Sequence, residues 1–202
     1  MKKTLFLFSL VSVLILCILS LWATSESKSI KNSVFRLHII ANSNSDFDQS
    51  VKLLIRDRIL SEAQALFSIA NTRDEAIKIA KKEEKTWEEI ANSVLKEQGL
   101  SYKASCKIEE TKFPTKHYGA ISLPSGTYLA MNITLGNADG ENWWCVLYPP
   151  LCFTNADHVS ILDDEKQLKE FFSEEDYMMI TAEENGTLPI RFRFKLLELF
   201  AP

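Results

Sequence analysis

The sequence predicts an α+β domain in which two amphipathic helices pack on one face of a mostly antiparallel sheet, behind an N-terminal hydrophobic export segment. Three observations support this fold class. An uncharged apolar run follows two lysines at the N-terminus, two segments of helical periodicity follow one leading strand, and alternating strands separated by turns make up most of the rest. The chain has 202 residues, of which 46% are hydrophobic and 25% charged, as expected for one folded domain.

The N-terminal apolar run extends from Leu5 to Leu21 and has the composition of an export signal. As a helix, this run would span about 25 Å, slightly less than the hydrocarbon core of a membrane. Small residues at positions 23–25 would permit cleavage. Residues 1–29 are therefore predicted to be either a cleaved signal peptide or a membrane anchor, and residues 30–202 a single extracytoplasmic domain.

An exported domain can keep disulfides, so each cysteine is considered as a possible partner in one. Cys17 lies in the apolar run and is interpreted as an apolar filler, whereas Cys106 lies on the apolar face of an alternating strand and is predicted to be a buried thiol. A chain reversal at Pro149 and Pro150 would bring Cys145 and Cys152 within bridging distance, so these two form either a disulfide or two core thiols. No metal site is predicted, because no further ligand stands at metal-binding spacing.

The leading strand is predicted over residues 34–40, because apolar and polar side chains alternate there. The pattern buries one face and leaves Arg36 and His38 on the opposite, outward face. Turn-forming residues follow at 41–45, and a helix with Asp46 as its N-cap is predicted from about Phe47 to Ala70.

A second helix is predicted from the Thr72 and Glu75 capping box to Gly99, a favoured C-terminal residue. Its apolar positions recur at spacings of three and four, with Glu83 as the exception. This seam favours packing within the molecule, because a coiled-coil dimer would need the pattern over more heptads.

Further strands are predicted over residues 102–111, 127–135 and 142–148, and the last two are interpreted as an antiparallel hairpin. Residues 155–185 contain ten acidic side chains against two lysines, which indicates either a solvated acidic helix and loop pinned by a few apolar residues or a partner-facing surface. Alternation after Pro189 predicts a final strand with a basic outer face.

Sequence motifs for chemistry are missing from the chain. Its three histidines are scattered, and it has neither a Gly-x-Ser-x-Gly nucleophile motif nor a glycine-rich phosphate loop, so no catalytic residue and no cofactor are predicted. The formal net charge of −4 argues against nucleic acid as a partner. The most unusual stretch is Asn142-Trp143-Trp144, where adjacent tryptophans of one strand must face opposite sides. The outward one needs cover, either from the acidic segment or from a partner.

Several motifs together resemble stage II sporulation protein R of endospore-forming Firmicutes. The resemblance extends over roughly residues 35–153 and includes a short basic and aromatic tail. The motifs that carry it are Phe35-Arg36-Leu37-His38-Ile39-Ile40-Ala41-Asn42-Ser43, the stretch from Asp48-Gln49 through Lys52 to Arg56-Asp57, Phe113-Pro114-Thr115-Lys116-x-Tyr118-Gly119, Leu123-Pro124-Ser125-Gly126-x-Tyr128, the block from Asn142 to Phe153, and Arg191-Phe192-Arg193-Phe194-Lys195.

The resemblance implies an intercellular signal rather than an enzyme. Proteins of this family are made in the forespore and exported into the intermembrane space. There they activate a membrane-embedded aspartic protease of the mother cell, of the stage II sporulation protein GA type, which cleaves the precursor of sigma factor E. The expected partners are this protease and, through the N-terminal segment, the membrane, with no small-molecule substrate.

Outward groups of the matching motifs are the expected partner-binding residues, although capping, turn formation or core packing would also account for each of them. They are Arg36, His38, Asn42, Lys116, His117, Tyr118, Trp143 and Trp144. Two alternatives stay open. A secreted envelope hydrolase would need a cleft that gathers His38 or His117 with an acid such as Asp46 or Asp57, and an anchored structural envelope protein would need an uncleaved N-terminal segment.

Overall fold

The computed structural model describes residues 2–67, 69–118, 121–151 and 165–181. These residues form six helices and six strands. In chain order they are α1 (Lys2–Ser33), β1 (Phe35–Ile40), α2 (Asp46–Phe67), α3 (Arg73–Lys82), α4 (Glu84–Glu97), β2 (Ala104–Phe113), β3 (Lys116–Tyr118), β4 (Ile121–Leu123), β5 (Gly126–Leu135), β6 (Asn142–Tyr148), α5 (Glu165–Phe171) and α6 (Glu174–Thr181).

Four strands form one sheet in the order β2-β5-β1-β6, and β3 and β4 form a separate hairpin. Strand β1 runs parallel to β5 and antiparallel to β6, and β2 is antiparallel to β5. The predicted α+β class with a mostly antiparallel sheet is confirmed. The predicted hairpin of the last two strands is wrong, because β1 lies between β5 and β6.

The loop between β5 and β6 crosses the end of β1 and is held there by hydrogen bonds. The backbone N–H groups of Asp139 and Gly140 donate to the carbonyl oxygens of Asn42 (3.2 Å) and Ala41 (3.0 Å). The side chain of Asn42 adds two bonds, because its Oδ1 accepts from the Asn137 N–H at 3.0 Å and its Nδ2 donates to Asp48 at 2.8 Å. Asn42 is therefore part of the crossover that separates β5 from β6.

Asp48 joins this crossover to the start of α2. Burial by itself would raise the pKa of the Asp48 carboxyl, but hydrogen bonds from Ser43, Tyr102, Asn42 and Ser45 hold that pKa below its ordinary value. The Ser45 hydroxyl accepts from the Asp48 N–H at 3.1 Å, so Ser45, rather than Asp46, caps the helix.

Helices α2, α3 and α4 cover one face of the sheet, as predicted for the helical layer. The predicted second helix is broken at Glu83, the residue that interrupts the apolar seam, whose N–H donates to the Ile79 carbonyl as a C-cap. Trp87 is fully buried, and its indole N–H donates to the Ala80 carbonyl at 3.1 Å across the break. The layer therefore contains three helices instead of two.

The opposite face of the sheet is covered as well, by the β3–β4 hairpin, the end of α1, and the helices α5 and α6. The buried apolar side chains of this second core come from all of these elements and from the sheet, and they are Ile30, Val34, Phe113, Ile121, Leu123, Tyr128, Ala130, Val146, Leu151, Leu168, Phe172 and Ile180. Because Leu168 and Phe172 are buried, the part of the acidic segment that the structure describes is pinned to the core, as predicted. The predicted strand after Pro189 lies outside the described residues.

Along α1, large apolar side chains such as Phe6 and Phe8 are exposed and contribute to neither core. In the part of the chain that is described, no helix is both long and apolar enough to cross a membrane. Whether residues 1–29 are cleaved stays a prediction.

The cysteines agree in part with the sequence. Cys106 is a buried free thiol, which confirms the prediction, and burial raises its pKa to about 12. Cys145 is disulfide-bonded. Its predicted partner Cys152 lies outside the described residues, so that pairing stays a prediction.

Asn42→Ala tests the crossover. We expect a loss of about 1–2 kcal/mol in the free energy of unfolding, because the Asn137 N–H and the Asp48 carboxylate each lose a partner. Urea denaturation measures this change. Asn32→Ala, at an exposed position of α1, is the matched control and should change stability by less than about 0.5 kcal/mol. Equal effects of the two variants would mean that Asn42 does not hold the crossover.

Candidate functional site

Arg36 and His38 lie on the face of β1 that the hairpin covers. Arg36 is 0% exposed and His38 is 6% exposed. The expectation that both side chains face outward is therefore wrong. The predicted alternation is present in β1, but a second layer of structure buries the polar face together with the apolar one.

Aromatic rings surround the Arg36 guanidinium. Its Cζ atom lies 3.9 Å from the ring centroid of Phe113, 4.8 Å from that of Tyr128 and 5.7 Å from that of Tyr118. Nε donates to the Cys145 carbonyl at 3.3 Å, and Nη2 donates to the Tyr118 hydroxyl. Nη1 has no partner among the described residues, and no carboxylate there forms an ion pair with the guanidinium. Burial lowers the pKa of Arg36, and contact with ring faces offsets part of the cost of burying the charge.

His38 stacks on Trp144, with ring centroids 3.9 Å apart and an interplanar angle of 3°. Its Nδ1 lies 3.1 Å from the Asn132 side-chain oxygen, and its Nε2 lies 2.7 Å from that of Asn142. The Asn132 NH₂ group already donates to Glu109 and Thr111, so Nδ1 must carry a proton. Burial lowers the pKa of His38. Because Nε2 faces the Asn142 oxygen, this contact is a hydrogen bond only when Nε2 carries a proton, and a neutral ring with its proton on Nδ1 would require the Asn142 amide to be turned by 180°.

The three residues of β3 differ in their burial and in their contacts. Tyr118 is half-buried, and its hydroxyl accepts from Arg36 and donates to the Trp144 carbonyl at 3.3 Å. Burial raises the pKa of this hydroxyl. Lys116 is half-buried and His117 is exposed. Tyr118 thus connects the hairpin to the edge strand, while Lys116 and His117 lie nearer the surface.

The two tryptophans face opposite sides of β6, as predicted. Trp143 packs against the helical layer, where the Arg56 Cζ atom lies 4.4 Å from the centroid of its ring system. Trp144 packs against the second core beside His38 and Phe113. Among the described residues, His38 and Phe113 contact Trp144, Arg56 contacts Trp143, and the core on which Trp144 packs includes Leu168, Phe172 and Ile180 of the acidic segment.

A cleft of about 390 Å³ lies beside β6, between α2 and the hairpin. It brings together three of the predicted residues, Lys116, Trp143 and Trp144, with side chains that the sequence did not single out. The lining consists of Gln49, Lys52, Leu53, Lys116, Glu141, Asn142, Trp143 and Trp144. Arg36, His38 and Tyr118 lie in the cluster beneath the hairpin, and Asn42 belongs to the crossover.

Lys52 is the lining residue that sequence reasoning missed. It is 4% exposed, and its Nζ donates to Gln49 Oε1 at 2.5 Å and to the Glu141 carbonyl at 3.0 Å. No carboxylate of the described residues lies within ion-pair distance, and burial lowers the pKa of Lys52. A lysine outside the apolar stripe of an amphipathic helix is expected to be exposed. The one signal in the sequence was its place inside a motif of the family resemblance.

Within the described residues, no carboxylate is hydrogen-bonded to the buried His38. Both ring nitrogens of His38 contact asparagine side chains, and Asp57 pairs with Arg56 at 2.6 Å. Among the described side chains, no group of three or more His, Cys, Asp and Glu is placed to hold a metal ion. The cleft is lined by amide, ammonium and indole groups and by one carboxylate residue, Glu141, a set that suits binding.

Comparison with known proteins agrees with the motifs. The family model for stage II sporulation protein R matches residues 31–158, a range that includes the whole sheet, the hairpin and the cleft. Stage II sporulation protein R of Bacillus subtilis (strain 168) is 38% identical over 144 residues, which cover 70% of this chain and 64% of that protein. The match therefore spans slightly less than two thirds of the relative's length. No solved structure matches the chain.

Substitution of Arg36 tests whether the buried position needs a guanidinium or a charge. We expect Arg36→Lys to lower the free energy of unfolding by about 3 kcal/mol, because an ammonium is harder to desolvate and cannot reproduce the planar ring contacts. Arg36→Met, which removes the charge, should cost about 1 kcal/mol. Arg58→Met is the control, since Arg58 is exposed and its ion pair with Glu97 is 3.8 Å long. A smaller loss for lysine than for methionine in urea denaturation would contradict this interpretation.

His38 should make stability depend on pH. Its folded-state pKa lies below the ordinary 6.5, so the unfolded chain binds more protons between those two values. The His38 contribution is thus complete above about pH 6.5 and is lost as the pH falls through the folded-state pKa. The measurement is urea denaturation between about pH 7.5 and about pH 5. His38→Gln should flatten this dependence and the exposed His117→Gln should keep it. Parallel pH profiles for His38→Gln and the parent protein would show that His38 does not titrate as described.

Proposed function

Because the chain belongs to the stage II sporulation protein R family and so has a role in sporulation, we propose that it is an intercellular signal that activates a protease. In this proposal, it is made in the forespore and exported into the intermembrane space. It then binds a membrane-embedded aspartic protease of the mother cell, of the stage II sporulation protein GA type. The activated protease cleaves the precursor of sigma factor E.

The observation that carries the proposal is the family match over residues 31–158. Two features of the structure support a binding role rather than catalysis by this chain. The buried His38 has asparagine partners on both nitrogens, and the cleft beside β6 is lined by half-buried tryptophans and lysine side chains. Tryptophan side chains that line a surface cleft are typical of protein-binding sites.

Activation by binding has a thermodynamic requirement. A ligand shifts an equilibrium between inactive and active protease only by the difference in its affinity for the two states. A shift from 1% to 99% active needs about a 10⁴-fold preference for the active state. The signal must therefore contact a part of the protease that changes with its activity, on the extracytoplasmic side where the exported domain is expected.

Reconstitution tests the proposed function. The exported full chain is co-expressed with the protease and the sigma-factor precursor in a host that lacks all three, and precursor cleavage is followed by immunoblot. We expect cleavage that depends on this chain. We also expect His117→Ala and His38→Gln, once shown to be folded, to retain it, because a signal needs no general base.

Two results would contradict the proposal. Cleavage that is indifferent to the chain, with the protein confirmed as exported and folded, would remove the signalling role. Loss of activity at one histidine with binding to the protease unchanged would instead favour the hydrolase alternative, since a catalytic residue affects turnover more than affinity.

A further inference from the structure

We propose that the cleft beside β6 binds a carboxylate, and that its occupant is an acidic side chain in the extracytoplasmic part of the protease. The partner named here rests on the proposed function. The carboxylate chemistry rests on the cleft itself, and the two are tested separately below.

Lys52 supplies the central charge of the cleft. An ammonium has three N–H donors, and two of those of Lys52 are used, on Gln49 and on the Glu141 carbonyl. The side chain is 4% exposed, and among the described residues no carboxylate lies within 4.0 Å of it. Both hydrogen-bond partners of Lys52 are neutral oxygens, and the Glu141 carboxylate attracts the ammonium without forming an ion pair with it. An incoming anion that accepts the third N–H would therefore stabilise the buried charge further.

Two other side chains of the lining also carry hydrogen-bond donors. Trp143 carries an indole N–H that donates to no acceptor in the part of the chain the structure describes. Lys116 reaches the cleft from the opposite wall, on the hairpin. Glu141 also lines the cleft, but it is an exposed residue. Lys52 donates to its backbone carbonyl and not to its side-chain carboxylate. The lining therefore has a net positive charge, from two lysines against one glutamate, and it includes one buried donor that has no partner among the described residues.

The net charge of the chain and the size of the cleft bear on which kind of anion the cleft can bind. With a formal net charge of −4, the protein as a whole repels polyanions such as nucleic acids and anionic membrane surfaces. The cleft has a volume of about 390 Å³ and two lysines in its lining, which suits a single side-chain carboxylate presented by a neighbouring chain. Trp143 and Trp144 line the same cleft as the lysines and supply aromatic contact area, and tryptophan is one of the residue types that dominate affinity in protein interfaces.

Peptide binding to the purified full chain tests the carboxylate site. The probe is an acetylated, amidated peptide of three glutamates between glycines, and the matched glutamine peptide is its control. Binding is followed by tryptophan fluorescence or calorimetry. We expect the glutamate peptide to bind and the glutamine peptide not to bind. Lys52→Met and Lys116→Gln should each weaken binding roughly tenfold, whereas Lys107→Gln, at an exposed lysine of β2 on the other edge of the sheet, should leave it unchanged.

Three outcomes would overturn the carboxylate site. These are equal binding of the two peptides, tighter binding of inorganic phosphate than of the glutamate peptide, and an equal effect of Lys107→Gln and Lys116→Gln. Thermal unfolding of each variant shows whether it is folded. Lys116 is half-buried near the surface, so its variant keeps the test valid even if substitution of the buried Lys52 destabilises the chain.

Charge reversal in the reconstituted system tests the partner. We expect Lys116→Glu to reduce precursor cleavage at least about tenfold, and an acid-to-lysine substitution in the extracytoplasmic part of the protease to restore it. Full activity of Lys116→Glu and Lys52→Met would overturn the assignment of the protease to this cleft, while the signalling function would stand. Failure of the unaltered chain to activate would remove the proposed function and the named partner together, and the peptide results would still decide the carboxylate chemistry.

Discussion

Burial of the Arg36 guanidinium against the sheet is the constraint on which the second layer of the domain depends. A charge that is removed from water needs compensation, and among the described residues this comes from the faces of Phe113, Tyr118 and Tyr128 and from two oxygen acceptors. These rings come from β2, β3 and β5, so the hairpin must fold over the sheet to complete the cluster. That position of the hairpin also puts Lys116 beside the edge strand.

The crossover after β5 positions the other wall of the cleft, where the start of β6 meets α2. Hydrogen bonds from residues 137–141 to the end of β1 carry the chain past β1, so that β6 pairs on the far side of it. The start of β6 then lies against α2, where the Glu141 carbonyl accepts from Lys52. Asp48 ties the same turn to α2 and to Tyr102. The cleft is thus a consequence of the strand order.

In the proposed role, these two structural layers would serve different purposes. The cluster of Arg36, His38 and Trp144 is packed and buried or half-buried, and it gives the edge strand a rigid support. Lys52, Lys116 and Trp143, together with Trp144 itself, line the open cleft beside it. A rigid surface loses little conformational freedom on binding, so more of its contact energy is available to distinguish two states of a partner.

Local patterns in the sequence were sufficient to predict the α+β class, the strand at 142–148 and the start of the second helix at its capping box. They also predicted the opposite orientation of the two tryptophans and the buried thiol of Cys106. The strand order, the burial of Arg36 and His38, and the position of Lys52 were decided by tertiary structure. Alternation shows that a strand has two kinds of face, but it does not show whether a distant hairpin covers the polar one. A lysine outside an apolar stripe has the same local pattern whether water or a neighbouring strand lies beside it, because these contacts join residues far apart in the chain.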